Sequence, residues 1–342
     1  MPLTRITVLQ IQQQACSYDH IRILRPLRWR GMRDALWGAG ISVDVMLPNN
    51  ITMQALAATD CLVLHGVPHP GMMNLLRRLP CRFAIFEDDL MRDVPPWNPN
   101  KISAAQSRCL DWCLEHACAI VATTQPLADA LGYPNKTRTQ GNLEDFDKPP
   151  EGAADRMKRA MFVGGNSHAA DLELLNDLDW WGETVIWSSC LPSAKIAMYR
   201  TPIGGMAYRP NDPKFGWIEP IADYETYCTC LRNIAPRFGI GLAPLVSHPF
   251  NRCKSLLRFI EASMLGWVSV VSCVQPYSDI PDDCCVKVGR ARNNKGWGPW
   301  VRYAANHPEI ARRAWEWARA EHSYQEKWTS WLDTYRYIAG KL

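Results

Sequence analysis

Residues 239–272, GIGLAPLVSHPFNRCKSLLRFIEASMLGWVSVVS, constrain the fold more than any other stretch of this chain. The apolar run Phe238–Ala243 reads as a buried strand, and Pro244 and Pro249 keep the next backbone open. Asn251 is placed to cap a helix that ends near Gly266, and Val268–Val271 reads as the following buried strand. Strand, loop, helix and strand at this spacing form a βαβ unit, which requires a parallel sheet. Asn251, Arg252, Lys254 and Ser255 therefore fall at a helix N-terminus on the C-terminal lip of a sheet. Free amides and the helix dipole favour phosphate there, and α/β folds bind ligands on that lip. Glu261 lies two turns further along an otherwise apolar helix, where a carboxylate needs a partner such as a sugar hydroxyl. Helical spacing puts Lys254, Arg258 and Glu261 on one face; a solvated surface stripe is the competing reading.

The same alternation runs through the whole chain. Strands are predicted near 5–11, 42–46, 61–64, 82–86 and 118–122, and helices near 21–38, 51–58, 70–78, 101–117 and 125–131. Residues 147–152, DKPPEG, combine charge, two prolines and a glycine without periodicity and read as a linker. A second series follows: strand 159–163, helix 168–179, strand 184–188, helix 223–233, strand 237–243, helix 251–265 and strand 268–272. After Trp297 the chain reads as helical, with Asn306 or His307 ahead of Pro308 as a helix start. The expected class is α/β: a Rossmann-like domain over 1–150, a second over 151–305, and C-terminal helices over 306–342.

Composition narrows the class. At 342 residues, 47% hydrophobic and 21% charged, the chain has room for two ordinary globular domains. No apolar run approaches the ~18–20 residues of a membrane span. MPLTRITVLQIQQQ alternates like a first strand and lacks the order of a signal peptide, so the default location is cytoplasmic. Of thirteen cysteines, Cys61, Cys81, Cys118, Cys190 and Cys273 lie in or beside strand-like runs, and neither Cys228-Thr229-Cys230 nor Cys284-Cys285 has zinc-site spacing. Reduced thiols are expected. The net charge of +4 implies no nucleic acid by itself. Arg22, Arg25, Arg28, Arg30 and Arg33 are nevertheless clustered around Trp29, either as a solvated helix face or as a contact for an anionic substrate. Among fifteen tryptophans, the group Trp297, Trp300, Trp315, Trp317, Trp328 and Trp331 is too dense to be wholly buried.

The 239–272 segment resembles the donor-binding half of retaining, nucleotide-sugar-dependent glycosyltransferases of the GT-B fold, group 1 or family 4 type. Their helix carries two Glu residues eight positions apart, then Ala and Gly-x-x-Val-Val. Glu261-Ala262, Gly266 and Val270-Val271 match the second half, whereas the first Glu position holds Cys253. By that resemblance Glu261 holds the nucleotide ribose and Lys254 the donor phosphate, with Arg252 or Arg258 as helpers. The sugar contact passes to Asn251 or to backbone amides. MFVGGNSHAADLELL (161–175) is similar to the family's Gly-rich turn against the diphosphate, although Gly164-Gly165 also suits plain turn chemistry. Gly164, Gly165, Asn166, Asn251, Arg252 and Ser255 are thus the expected donor contacts, and Lys254, Glu261 and His168 the expected catalytic residues. The resemblance extends to Ser167, His168 and Asp171, to 81–99, to 120–132 and to Gln140-Gly141-Asn142. It also implies that the 306–342 helices pack back on the first domain.

Acceptor-side candidates come from the first half. Glu87-Asp88-Asp89 follows a strand and invites metal binding, acceptor contact or structural bonding between the domains. His65 and His69 lie at another strand's end, and Arg25 sits in the basic cluster. No Gly-x-Ser-x-Gly elbow or Walker loop is present. The expected activity is sugar transfer from a nucleotide-sugar, a UDP-sugar foremost, to a glycan hydroxyl or to a hydroxylated base of viral-type DNA. No metal or other cofactor is expected to be obligatory. A non-catalytic nucleotide- or sugar-binding relative is the alternative, on the strength of Cys253.

Overall fold

The computed structural model describes residues 3–9, 20–146, 154–175, 178–188, 196–200, 206–210, 215–218, 224–289 and 296–340. The 147–152 linker lies outside the described residues. In the first half, strands β1 (Thr4–Leu9), β2 (Ile41–Met46), β3 (Cys61–His65), β4 (Arg82–Glu87), β5 (Ala119–Ala122) and β6 (Thr137–Thr139) form one sheet. Its order is β2-β1-β3-β4-β5-β6, every pair parallel. In the second half come β7 (Arg159–Gly164), β8 (Glu183–Ser188), the hairpin strands β9 (Ile196–Arg200) and β10 (Met206–Pro210), β11 (Phe215–Ile218), β12 (Ile240–Ala243), β13 (Val268–Ser272) and β14 (Val286–Val288). The second sheet runs β11-β8-β7-β12-β13-β14, again all parallel. Each order reverses once, between β1 and β3 and between β7 and β12. Those reversals leave crevices at the C-terminal strand ends, where open α/β sheets take ligands.

Helices cover both sheets: α1 (Arg25–Arg28), α2 (Met32–Gly38), α3 (Met53–Ala57), α4 (Met73–Leu76), α5 (Ala104–His116) and α6 (Gln125–Leu131) in the first half. The second half holds α7 (Ala169–Glu173), α8 (Tyr224–Ile234), α9 (Pro249–Arg252) and α10 (Leu257–Met264), then α11 (Gly298–Ala305), α12 (Glu309–His322) and α13 (Tyr324–Ile338). Local chemistry explains the well-formed ones. Ser103 and Gln106 make a reciprocal capping box on α5, and Thr124 caps α6 through the Leu127 amide. Gly266, at φ +70°, ends α10.

Two predicted helices are broken. Residues 21–38 divide into a π turn at His20–Leu24, α1 and α2, because Gly31 takes φ +80° between them. Residues 251–265 divide into α9 and α10. His248 rather than Asn251 caps the first piece, its Nδ1 accepting the Phe250 amide at 3.1 Å.

The chain crosses between the two halves twice, side by side. The Glu144 amide donates to the His322 carbonyl (2.9 Å), and the Tyr324 amide donates to the Glu144 carbonyl (3.0 Å). Beyond this crossing, α13 packs on the first sheet: Tyr324, Trp331, Tyr335 and Ile338 share one core with Ile6, Val8, Val63 and Phe86. In the opposite direction, Phe250 and Cys253 of the second half are buried among Leu64, Ile85, Ala122 and Leu127 of the first. The tryptophan group is not wholly buried: Trp297 and Trp331 are buried and the other four half-buried.

Candidate active site

The β7/β12 crevice gathers the donor-side residues. Gly164 ends β7, and a side chain there would overlap the Arg258 guanidinium, which lies 4.8 Å over the Phe162 ring. Glycine thus lets an arginine lie flat against the strand end. After Gly165 a short turn, Asn166–His168, leads into α7. The Asn166 side chain lies outside the described residues. His168 is buried, and its Nδ1 is 2.6 Å from Asp171 Oδ2. Burial, with Arg258 and Lys254 nearby, holds the His168 pKa well below its usual value, so the ring is neutral at pH 7. In that pair the Nδ1 proton faces Asp171, which leaves Nε2 as an acceptor. Asp171 also accepts the Val246 amide at 2.7 Å and so fixes the loop after β12.

Lys254 sits in the turn between α9 and α10, not within a helix. Its ammonium lies 4.8 Å over the Phe250 ring and 3.8 Å from Asp89 Oδ1 of the first half. It therefore stands where the lips of the two sheets face each other. Arg258 Nη1 is buried and has no partner among the described residues. Two cations, Lys254 and Arg258, thus lie near His168 at the crevice, an arrangement suited to stabilising a diphosphate electrostatically.

Glu261 belongs to a different environment. With Arg258 and Ser269 it lines a cavity of ≈ 20 Å³ beneath α10, space for about one water molecule. Burial and the nearby Glu144 push its pKa up to about 8, against the pull of Arg25 and Arg258. Arg25 itself joins the two halves. Its guanidinium pairs with Glu144 at 2.5 Å, donates to Cys228 Sγ at 3.3 Å and lies 5.1 Å from the Tyr224 ring centroid.

On the first sheet, Asp88 bridges Arg22 (2.7 Å) and His65 Nε2 (3.0 Å). Although burial opposes its charge, Arg22 and His65 hold the Asp88 pKa well below the carboxylate range. Arg22 is 1% exposed, also donates to the Gln140 carbonyl, and lies over the Trp331 ring. Glu87 points to the other face of the sheet and is fully buried. Burial and the adjacent Asp88 and Asp89 raise its pKa well above the usual value.

The structure thus brings together Gly164, Gly165, His168, Lys254, Arg258 and Asp89, and it relocates several sequence candidates. Asn251 is buried, with its amide donating to the Val246 carbonyl at 2.9 Å and facing Asp171, so it shapes the loop from inside. Arg252 is exposed on α9. Ser255 accepts the Asn142 amide at 3.1 Å, a bond between the two halves. Arg25 and His65 are internal partners, and Glu87 lies in the core, so none of the three is presented as a free acceptor contact. Cys253 is buried against the first half, where its carbonyl accepts the Thr124 hydroxyl at 2.8 Å. Sequence reasoning missed the Glu144–Tyr224–Cys228 surroundings of Arg25; 119 residues separate Arg25 from Glu144, and no local pattern marks such a pair. Among the described residues no group of three or more His, Cys, Asp or Glu is arranged to hold a metal ion, and no helix is long and apolar enough to cross a membrane.

Two Rossmann-like domains with facing lips, crossed back by a C-terminal helix, constitute the GT-B architecture. Solved structures bear this out over nearly the full length. The chain is similar to sucrose-phosphate synthase from Thermosynechococcus elongatus (12% identity, TM-score 0.64, 99% of this chain and 100% of that one). It is also similar to Anabaena Alr3699/HepE in complex with UDP-glucose (11%, 0.60, 96% and 99%) and to a glycosyltransferase from Rickettsia africae (11%, 0.57, 99% and 99%). No protein-family model and no curated protein sequence matches the chain. The fold is GT-B.

Proposed function

We propose that this chain is a glycosyltransferase that moves a sugar from a UDP-sugar to an acceptor hydroxyl with retention. The observation that carries the reading is Lys254: a partly buried cation beside Arg258, Gly164 and His168, at the sheet reversal, facing Asp89 across the interdomain cleft. Lys254 and Arg258 hold the diphosphate and stabilise its charge as it leaves. Neutral His168 accepts a hydrogen bond from a sugar hydroxyl through Nε2. Asp89, released from Lys254 when the phosphate takes over that cation, orients the acceptor hydroxyl. The UDP-glucose held by HepE on the same fold supports the choice of donor. A glycan is the preferred acceptor, because two of the five clustered arginines are taken up inside the molecule, Arg22 by Asp88 and Arg25 by Glu144, and Arg28 pairs with Glu225 at the surface.

Thermal unfolding with UDP, GDP, ADP, dTDP and CMP, each at about millimolar concentration, tests the donor site, because a ligand specific to the folded state raises the midpoint by mass action. A shift with UDP alone is expected. No shift with any nucleotide or with UDP-glucose would overturn the reading. Binding without transfer to any acceptor would favour the non-catalytic alternative, which Cys253 at the first Glu position supports.

A further inference from the structure

Cys61 opens β3, Cys81 precedes β4 and Cys118 precedes β5. All three lie at the N-terminal edge of the first sheet, the end opposite His65 and Asp88. Cys118 is exposed, the one such thiol among the described cysteines, and Cys61 is fully buried. Their sulfurs are 3.9 Å apart. Yet β4 runs between the two backbones. The Cys118 amide donates to the Phe83 carbonyl at 2.8 Å, while Cys61 pairs with Arg82 on the opposite side of that strand. Two strand spacings put the Cα atoms roughly 9–10 Å apart. A disulfide spans about 4.4–6.8 Å between Cα atoms. The two sulfurs touch but cannot join without moving the sheet.

The surroundings of Cys118 favour its thiolate. Cys61 from β3, Arg82 from β4, Lys136 from the turn ahead of β6, Cys81 and, from α13, Tyr337 are the titratable groups that face it. The hydrogen bond from Cys61, then Arg82 and Lys136, bring Cys118 down to about 7, whereas that bond and burial keep Cys61 a thiol. Thiolates are the nucleophilic form of cysteine.

We propose that Cys118 is a thiol-modification site that takes a low-molecular-weight disulfide, with Cys61 as its hydrogen-bonding partner and β4 as the barrier to resolution. The Cys118 thiolate attacks one sulfur of the small disulfide. That S–S bond breaks, a Cys118–S–S–R bond forms, and the RS⁻ released takes a proton from water. Cys61 cannot displace the adduct, because reaching Cys118 would require a Cα approach that β4 blocks. Cys61 therefore leaves the mixed disulfide in place for another thiol to remove.

The test is incubation of the full chain with oxidised glutathione at neutral pH, followed by acid quench and peptide mass mapping. The first adduct should map to Cys118 and be absent in Cys118→Ser. Cys61→Ala should slow its formation roughly three- to tenfold, as the thiolate fraction falls while the nucleophilicity of each thiolate rises. Should that variant not fold, the pH dependence of iodoacetamide alkylation at wild-type Cys118 serves instead, with a midpoint expected at about 7. The proposal is overturned by a first adduct on another cysteine, by loss of two hydrogens in a Cys61–Cys118 disulfide, by undiminished reactivity of folded Cys61→Ala, or by an alkylation midpoint near the ordinary ~8.5.

Discussion

The chain has two groups of cations, and they have opposite fates. Arg22, Arg25 and Arg28 are crowded together in sequence, yet each is paired with a carboxylate of the same molecule. Lys254 and Arg258 are more sparsely set in an apolar stretch, and they meet at the mouth of a crevice. There one lies 3.8 Å from Asp89 and the other has a buried nitrogen with no partner among the described residues. Density of charge along a sequence therefore says little about availability. What decides availability is whether the fold delivers a counter-charge, and for the first group it does so from 66, 119 and 197 residues away.

The contrast can be broken in four places. Arg22→Met should cost about 3–5 kcal/mol of stability, because it leaves buried Asp88 without its main counter-charge; denaturant unfolding would measure it, and a loss under 1 kcal/mol would make Arg22 dispensable. Lys254→Ala should lower sugar transfer by roughly 10²–10³-fold with the circular dichroism spectrum unchanged. Full-rate transfer by that variant would move the phosphate contact elsewhere.

Glu261→Gln offers a pH test. The folded-state pKa of Glu261 is about 8, above that of an unfolded glutamate, so its contribution to stability is complete at acid pH and is lost as pH rises toward 8. The melting midpoint of the wild type should accordingly fall relative to Glu261→Gln between pH 5 and 8. A constant difference would mean that the site tolerates the ionised carboxylate. The smallest effect is expected at Arg28→Ala. Its pair with Glu225 is 60% and 62% exposed, so the loss should stay below ~1 kcal/mol and shrink with salt.

Most of the two sheets was legible in the sequence, because their central strands are buried on both faces and read as short apolar runs. β3, β4, β5, β8 and β13 fall within a residue or so of their expected places. The three-residue strands β6 and β14 carry no comparable run, and β9–β11 fall between the elements expected at 184–188 and 223–233. The 251–265 helix was misjudged for a specific reason. Asn251 is a good cap by residue type, but Asp171 and the Val246 carbonyl claim its side chain, and His248 caps α9 instead. The place of Lys254 beside the crevice is legible because it depends on a local βαβ frame. Arg25 was misread because its value depends on Glu144 and Tyr224, which only tertiary structure brings near.

The return of α13 to the first sheet bears on how the chain must be made. Trp331 and Tyr335 complete a core with Ile6 and Val8, so that core closes contacts more than 320 residues apart. During synthesis the first half emerges long before α13 does, with only α1 and α2 over part of that face of its sheet. The second half, apart from the core it shares with α12, draws its strands from one contiguous stretch of chain. Contacts of such long range form slowly, and incomplete cores expose apolar surface. The half that is translated first is therefore the half that finishes folding last.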